Sequence, residues 1–572
     1  MDMTKLGFLR KAWHLAAPYW FSEERWFARG LLALIIAINV GTVLIDVRLN
    51  SWRADFYNSL QDYDGNGFVR QCVIFFVWAA IWMGLAVYST YLNQMLQIRW
   101  RRWLTRRYLD RYLANRAYYR IQLADSGTDN PDQRIADDLN LFCVGGLSLL
   151  LGLFSAVLSV VSFLIVLWAI SGDLEVPLGA WGTFVVPSYL VWIAIVYAGI
   201  GTWLTIKIGR PLVGLNYFQQ RYEADFRFSL VRLRENAESI AFYGGEPRER
   251  EVFERRFGNV FGNFWSLMKR QKHLGWLTSG YAQAIVLVPY LAAAPRYFSK
   301  QIQLGEVQQI AGAFDQVQSA LSFIVARYTD IAQWQAVIER LSGFEQRVVD
   351  VEAAAEREQP IAVTRAGEGV AVHGLELDLP DGTPLRRDVQ LEARPGDPVL
   401  VTGRTGSGKS TLLRAVAGLW PFGKGNVRLG EGAAFFVPQK PYLPLGTLRD
   451  VLAYPASGTA IPEVQLEAAL REVGLGSLAG RLDETDNWAQ RLSLGEQQRL
   501  AFARLLLAKP SIVFLDEATS ALDEAGEAEL YRKLRDAPWR PTIVSVGHRG
   551  SLRGFHGKIV DFGSPEPAVA AS

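Results

Sequence analysis

The sequence predicts a two-domain chain, an all-α membrane domain of six helices followed by an α/β domain built to hold phosphate. Three observations carry this. Six apolar runs fall within the first 326 residues, each near the ~20 residues that a bilayer span needs. Residues 403–410 read Gly-Arg-Thr-Gly-Ser-Gly-Lys-Ser between an apolar strand and a helical pattern, a glycine-rich loop whose backbone N–H groups can curl around phosphate oxygens. A second short apolar strand ends in Asp516 and Glu517, which places two carboxylates at the edge of a parallel sheet where such folds bind ligands. At 572 residues the chain is too long for one ordinary domain. The expected division is 1–345 for the membrane domain, 346–366 for a Glu- and Ala-rich solvated linker, and 367–572 for the α/β domain.

The first twenty residues mix Lys5, Arg10, Lys11 and His14 with aromatics. They predict an amphipathic helix on the membrane surface and not a cleavable signal. Spans follow near residues 30–47, 73–92, 141–170, 184–206 and 274–294, with a weaker sixth near 307–326. The sixth carries Gln308, Gln309, Asp315, Gln316 and Gln318, which predicts a water-lined face. Eight arginines between Arg99 and Arg120, and a basic region over 207–272, mark cytoplasmic segments, whereas the connection around Asp173 and Glu175 has no Lys or Arg and belongs outside. Both termini are then cytoplasmic, and helices two to five should continue well below the membrane. Asp46 and Asp315 are the carboxylates inside or beside spans. They are candidates for a proton relay, with helix-end or cavity-facing positions as the simpler alternative.

Composition excludes other classes. Net charge is only +3, with 60 basic and 57 acidic residues interspersed, so no nucleic-acid partner is expected. The arginines beside span two have the position of lipid-headgroup and topology determinants. Cys72 and Cys143 lie in apolar stretches without metal-ligand spacing and read as small buried or lipid-facing residues.

The phosphate loop assigns its own chemistry. Gly403, Gly406 and Gly408 free the backbone to curl, and Arg404, Thr405, Ser407 and Thr411 complete the loop and the first turn of the helix. The helix N-terminus adds positive potential, Lys409 reaches the β- and γ-phosphates, and Ser410 suits Mg²⁺. ATP and Mg²⁺ are thus the expected nucleotide and metal. Asp516 suits the Mg²⁺, directly or through water, and Glu517 suits the attacking water as general base or orienter.

Around these lie Val-Pro-Gln at 437–439, Leu-Ser-Leu-Gly-Glu-Gln-Gln-Arg at 492–499, Ser-Ala-Leu-Asp at 520–523, and His548 after the strand at 542–546. Together they resemble, in order, the Q-loop, signature, D-loop and H-loop of the ATP-binding-cassette superfamily. The resemblance implies that Gln439 senses Mg²⁺ and the attacking water and that His548 contacts the γ-phosphate. It further implies that Ser493 and Gly495, flanked by Leu494 and Glu496, reach the nucleotide of a second, identical protomer, with Asp523 in the D-loop. His14, His273, His373 and His556 are left as surface or interface residues. Leu494 and Glu496 replace the Gly and Gln of the commonest signature. Where an aromatic usually stacks on adenine, this chain offers Leu379 and Pro380, which would relax the preference for ATP over GTP.

Residues 130–138 (Asn-Pro-Asp-Gln-Arg-Ile-Ala-Asp-Asp) and 236–248 resemble peptides of the subfamily D transporters, as does the 441–450 run after Gln439. The stretches 18–26 and 52–61 resemble the membrane domain of bacterial BacA-like and YddA-like transporters. That resemblance implies the exporter-type fold in a bacterial inner membrane, an ATPase domain in the cytoplasm, and ATP-driven uptake of peptides or other bulky hydrophilic solutes by a homodimer. The alternatives are proton-coupled peptide uptake with a regulatory ATPase domain, and lipid or fatty-acyl export.

Overall fold

The structure is a computed structural model that describes residues 3–124, 131–177, 183–356 and 361–563. Asn130, singled out above, lies outside the described residues. Contacts divide the chain into two units, residues 3–114 with 131–349, and residues 115–124 with 350–356 and 361–563.

The first unit is helical apart from a two-stranded hairpin, Leu174–Pro177 with Thr183–Val186. An N-terminal helix, Met3–Trp20, buries Ala12, Leu15 and Tyr19 and leaves Leu9 and Trp13 exposed. Among the described residues five helices are long and apolar enough to cross a membrane. They include Arg25–Gln61, Gly65–Leu113, Leu139–Ser171, Tyr189–Glu235 and Glu246–Phe298. The second and fifth have 49 and 53 residues, or about 75 and 80 Å at 1.5 Å per residue. That is far more than a ~30 Å hydrocarbon core requires.

The sixth expected span is the helix Leu304–Leu321, followed by a break and the helices Phe323–Ala326 and Tyr328–Glu356. It is 18 residues long and is not among the five apolar enough to cross a membrane, and it packs on four of them, Arg25–Gln61, Leu139–Ser171, Tyr189–Glu235 and Glu246–Phe298. Val307, Ile310, Ala313, Phe314 and Val317 pack into one cluster with Phe163 and Leu167, with Leu190, Val191 and Ala194, and with Ala293. A helix wrapped by other helices can keep polar residues on its remaining face, and Asp315 is exposed. Asp46 lies beside Trp82. Both cysteines are free, Cys143 buried and Cys72 half-buried.

In the second unit, five parallel strands run in the order Lys558–Asp561, Val399–Thr402, Thr542–Val546, Ile512–Asp516, Ala434–Val437. Their β-branched and aliphatic runs suit a sheet covered on both faces. Alternation sends Leu400, Val513, Leu515 and Ile543 into one core with the helices Leu448–Ala453, Glu463–Glu472 and Leu494–Ala508. Val399, Val401, Phe514 and Val544 enter a second core against the helix Lys409–Val416 and a four-stranded sheet. The order of that sheet is Ile361–Arg365, Gly423–Leu429, Val370–Asp378, Pro384–Ala393.

Two differences from expectation stand out. The described part of the expected linker, 346–366, is largely regular secondary structure, because the helix Tyr328–Glu356 runs through its first half and the strand Ile361–Arg365 pairs with Gly423–Leu429. Its Glu and Ala residues are good helix formers, so the same composition that suggests solvation also extends a helix. Moreover, residues 115–124, distant in sequence, pack with the second unit: Arg116 donates to the Ala417 carbonyl at 3.0 Å, and Leu123 packs against the second core.

Candidate functional site

The strand Val399–Thr402 delivers the chain to the loop 403–408, and the helix Lys409–Val416 leaves it. Gly403, Gly406 and Gly408 have φ of +146°, +83° and +91°, a region open to glycine and costly for other residues. At Gly403 a Cβ would also lie 2.8 Å from that of Phe562. Lys409 Nζ donates to the Gly403 and Arg404 carbonyls at 2.8 Å each, which folds the loop over the ammonium. Burial pushes its pKa down. Ser407 is fully buried and its Oγ has no hydrogen-bond partner, whereas Arg404, Thr405 and Gly406 are exposed. A glycine-lined turn with an inward lysine and an orphaned buried hydroxyl fits a polyphosphate.

Ser410 Oγ donates to Asp516 Oδ1 at 3.1 Å, and Thr411 follows in the first helical turn. Burial pushes the Asp516 carboxyl up, and the neighbouring Glu517 adds to this. A hydroxyl beside a carboxylate is a hard-oxygen pair, and Mg²⁺ takes one or two such protein ligands plus phosphate and water. The residues present therefore fit the metal.

Glu517 closes the opposite side. Its Oε2 accepts from Gln439 Nε2 at 3.0 Å, and its Oε1 lies 2.9 Å from His548 Nε2. The backbone at Glu517 has φ of +49°, strained for a side-chain-bearing residue. Its N–H is held by the Val546 carbonyl at 3.0 Å, so pairing between the strands that end at 516 and 546 sustains the strain. Gln439, Glu517 and His548, predicted from three separate motifs, are thus one cluster.

The signature residues form a separate feature. Ser493 caps the helix Leu494–Ala508, and Glu496 accepts from the Ser493 N–H at 2.9 Å and from its Oγ at 2.7 Å. This reciprocal box exposes Ser493 and Leu494 at the helix N-terminus beside Gly495. Among the described residues, none of Ser493, Leu494, Gly495 and Glu496 hydrogen-bonds the phosphate loop. Asp523 caps the helix Glu524–Arg535, accepting from Gly526 N at 3.2 Å.

Sequence reading missed the buried supports of this site. Glu527, 1% exposed, accepts from Thr519 at 2.7 Å and Ser551 at 2.6 Å. Arg549 donates to the carbonyls of Ser520 at 2.7 Å and Leu522 at 2.6 Å. Arg504 donates to those of Val451 and Tyr442; burial pushes its pKa down to about 10. Arg549 adjoins His548 in sequence, a signal that was available. His556 is not a surface residue, because its ring is buried between the Leu552 carbonyl and Ser545 Oγ, at 2.7 and 2.8 Å.

Comparison with known proteins agrees with this geometry. Residues 16–298 match the family described as ABC transporter transmembrane region 2, and residues 386–520 match the ABC transporter family. The chain is 35% identical to ABC transporter D family member 2, chloroplastic, of Arabidopsis thaliana, over 98% of this chain and 86% of that protein. It is 32% identical to the inner membrane ABC transporter ATP-binding protein YddA of Escherichia coli strain K12, over 96% of each. Its fold is similar to that of a bacterial Atm1-family ABC exporter with ATP bound, at a TM-score of 0.69 and 18% identity, covering 94% of this chain and 93% of that one.

Proposed function

We infer function from the premise that this chain belongs to the ABC transporters with fused membrane and ATP-binding regions, among relatives of the D family. It is accordingly an ATPase coupled to transport across a membrane. Beyond this, we propose that it works as a homodimer in a bacterial inner membrane, with its ATPase domain in the cytoplasm, and takes up bulky hydrophilic solutes, peptides among them.

The observation that carries the reading is the carboxylate of Glu517 gripped by Gln439 and His548, beside an Asp516–Ser410 pair and a looped-over Lys409. In this assignment the loop from Gly403 to Gly408 cradles the phosphates, with Arg404 and Thr405 at its rim and Ser407 within it. Lys409 and His548 bind the γ-phosphate end, and Thr411 supports the helix start. Ser410, Asp516 and Gln439 would hold Mg²⁺, which would supply positive charge against the negative charge of the phosphates. Glu517 orients the attacking water and takes its proton, while the γ-phosphoryl group passes to that water and ADP leaves. Catalysis of this kind is chiefly positioning and electrostatics, which explains a strained but well-braced Glu517. Ser493, Leu494, Gly495 and Glu496 lie at an exposed helix N-terminus, suited to the phosphates of a partner's ATP. Asp523 would border the same interface.

Cargo polarity follows from the sixth helix. Its apolar stripe is spent on other helices, and Asp315 on the remaining face is exposed, which suits a water-lined path.

The test is uptake of a labelled cationic peptide by proteoliposomes, with ATP on the cassette side, for the wild type and Glu517→Gln. ATP-dependent uptake lost in the variant is the expected result. Uptake that survives Glu517→Gln but collapses with a pH gradient would replace the motor with proton coupling through Asp46 or Asp315. ATP-dependent movement of labelled lipid, with none of peptide, would transfer the cargo to lipids.

A further inference from the structure

Gln498 is the fifth residue of the signature helix Leu494–Ala508 and is fully buried. Its side-chain amide makes three hydrogen bonds. The nitrogen donates to the Gln439 carbonyl at 3.0 Å and to Ser520 Oγ at 3.1 Å, and the oxygen accepts from the Ala521 N–H at 3.0 Å. A glutamine side chain has two donors and one accepting oxygen, so both donors and the oxygen are engaged. The D-loop that it holds is gripped from the other direction by Arg549, through the carbonyls of Ser520 and Leu522. Arg549 is in turn 3.7 Å from the buried carboxylate of Glu527, which also fixes Thr519 and Ser551. Backbone at 520–522 is therefore clamped between a side chain of the signature helix and one that adjoins His548.

We propose that Gln498 is a positioning residue that makes the hydrolytic geometry of one site depend on the signature helix of the same chain. The inference rests on the reading given above, in which Gln439, Glu517 and His548 serve the chain's own ATP and Ser493 serves the partner's. A helix moves as a rigid rod over so short a distance. When its N-terminus is drawn onto the partner's phosphates, the amide of Gln498 moves with it and carries the backbone of Gln439 and Ala521. Gln439 Nε2 is bonded to Glu517, so the water-orienting carboxylate is adjusted by ATP bound at the other site. Gln498 touches no nucleotide in this account. It acts through Gln439 and the D-loop.

The experiment measures ATPase turnover against ATP concentration, and equilibrium binding of a fluorescent ATP analogue, for the full-length wild type, Glu517→Gln and Gln498→Met. Methionine keeps the length and apolar stem but makes none of the three bonds. Leaving a buried carbonyl and N–H without partners predicts a kcat about tenfold or more below wild type, with analogue Kd within about twofold and a Hill coefficient falling from above 1 towards 1. Should Gln498→Met fail to fold, Gln498→Glu keeps an acceptor for Ala521 but, ionised, cannot donate to Gln439, and the same kcat loss is expected. Wild-type kcat and Hill coefficient in a folded variant would overturn the proposal, as would a wild-type Hill coefficient of 1 or a Kd that weakens in step with kcat. Wild-type turnover that survives Glu517→Gln would instead sink the underlying assignment of the site.

Discussion

Gly305→Ala should loosen the membrane unit at one definable place. Gly305 sits in the first turn of the sixth helix, where the leading N–H groups have no partner within the helix. Two are satisfied by the first span helix, because the Leu304 N–H donates to Gln61 Oε1 and the Gly305 N–H to Asn58 Oδ1, both at 2.8 Å. This seam closes only because position 305 has no side chain. A Cβ there would lie 2.1 Å from the Ala54 carbonyl oxygen and 2.3 Å from Asn58 Oδ1. Carbon and oxygen in close contact stand about 3.3 Å apart, so the helices must separate by about 1 Å against backbone that cannot rotate away. Overpacking costs about 1–3 kcal/mol, and loss of two hydrogen bonds adds about 1 kcal/mol each. Improved helix propensity returns at most about 1 kcal/mol. The net expectation is about 2–4 kcal/mol of destabilisation. Gly84→Ala in the second span helix is the control, since a Cβ there meets nothing within 4 Å. Thermal melting of the purified proteins in detergent, read by the monodisperse fraction that survives heating, should rank Gly305→Ala well below Gly84→Ala and transport should fall with it. Equal melting of the two variants would refute the argument that the sixth helix is seated on the first through this glycine.

Three other outcomes can be checked directly. Glu496→Gln removes a carboxylate that holds the Ser493 N–H and hydroxyl and that would face a partner's phosphates. The apparent KM for ATP should fall several-fold, and an unchanged or raised KM would contradict that placement. For base selectivity, residues 379–383 form a self-contained turn, with the Leu379 N–H on the Thr383 carbonyl at 2.8 Å and the Gly382 N–H on that of Leu379 at 2.9 Å, and no aromatic among them. Without a stacking contact of about 1–3 kcal/mol, GTP should be hydrolysed with kcat/KM within about tenfold of ATP, and a preference above about 100-fold would expose an unseen adenine contact. Finally, burial pushes the His556 imidazole below its usual 6.5. Below pH 6.5 the unfolded chain then binds the proton more readily, so stability is full above that pH and declines on acidification. His556→Gln should flatten the difference in melting temperature between about pH 7.5 and pH 5.5, and an unaltered difference would assign it to other groups.

What the sequence made legible was local. The phosphate loop, the strand into Asp516 and Glu517, and the signature box are each written within eight or so contiguous residues, because their chemistry is backbone conformation plus adjacent side chains. Five spans were legible for a similar reason, since a helix facing lipid must be apolar along its own length. The sixth was weakly marked because its neighbours supply its apolar environment, and that information sits in Phe163, Leu190 and Ala293. The supports of the site were invisible for the same cause. Gln498 and Gln439 are 59 residues apart, and Arg116 and Ala417 are 301 apart. Neither pairing leaves a periodicity or spacing to read. His556 resembled any exposed histidine until Ser545 and Leu552 were seen around it.

The braced groups also bear on how nucleotide binding can drive a conformational change. Lys409 is bonded to two carbonyls, Glu517 to Gln439 and His548, and Ser493 to Glu496. A phosphate that engages any of these exchanges one hydrogen bond for another, so the net gain per contact is a modest difference and not the full strength of the new bond. If, as proposed, Ser493 and Gly495 of a second protomer reach the same ATP, tight binding to one open cassette would be disfavoured relative to a closed dimer. A ligand shifts an equilibrium only by its differential affinity for the two states. The modest exchange within one chain and the extra contacts between two are what would give ATP that differential, which is the physical requirement for using its binding to close the cassettes.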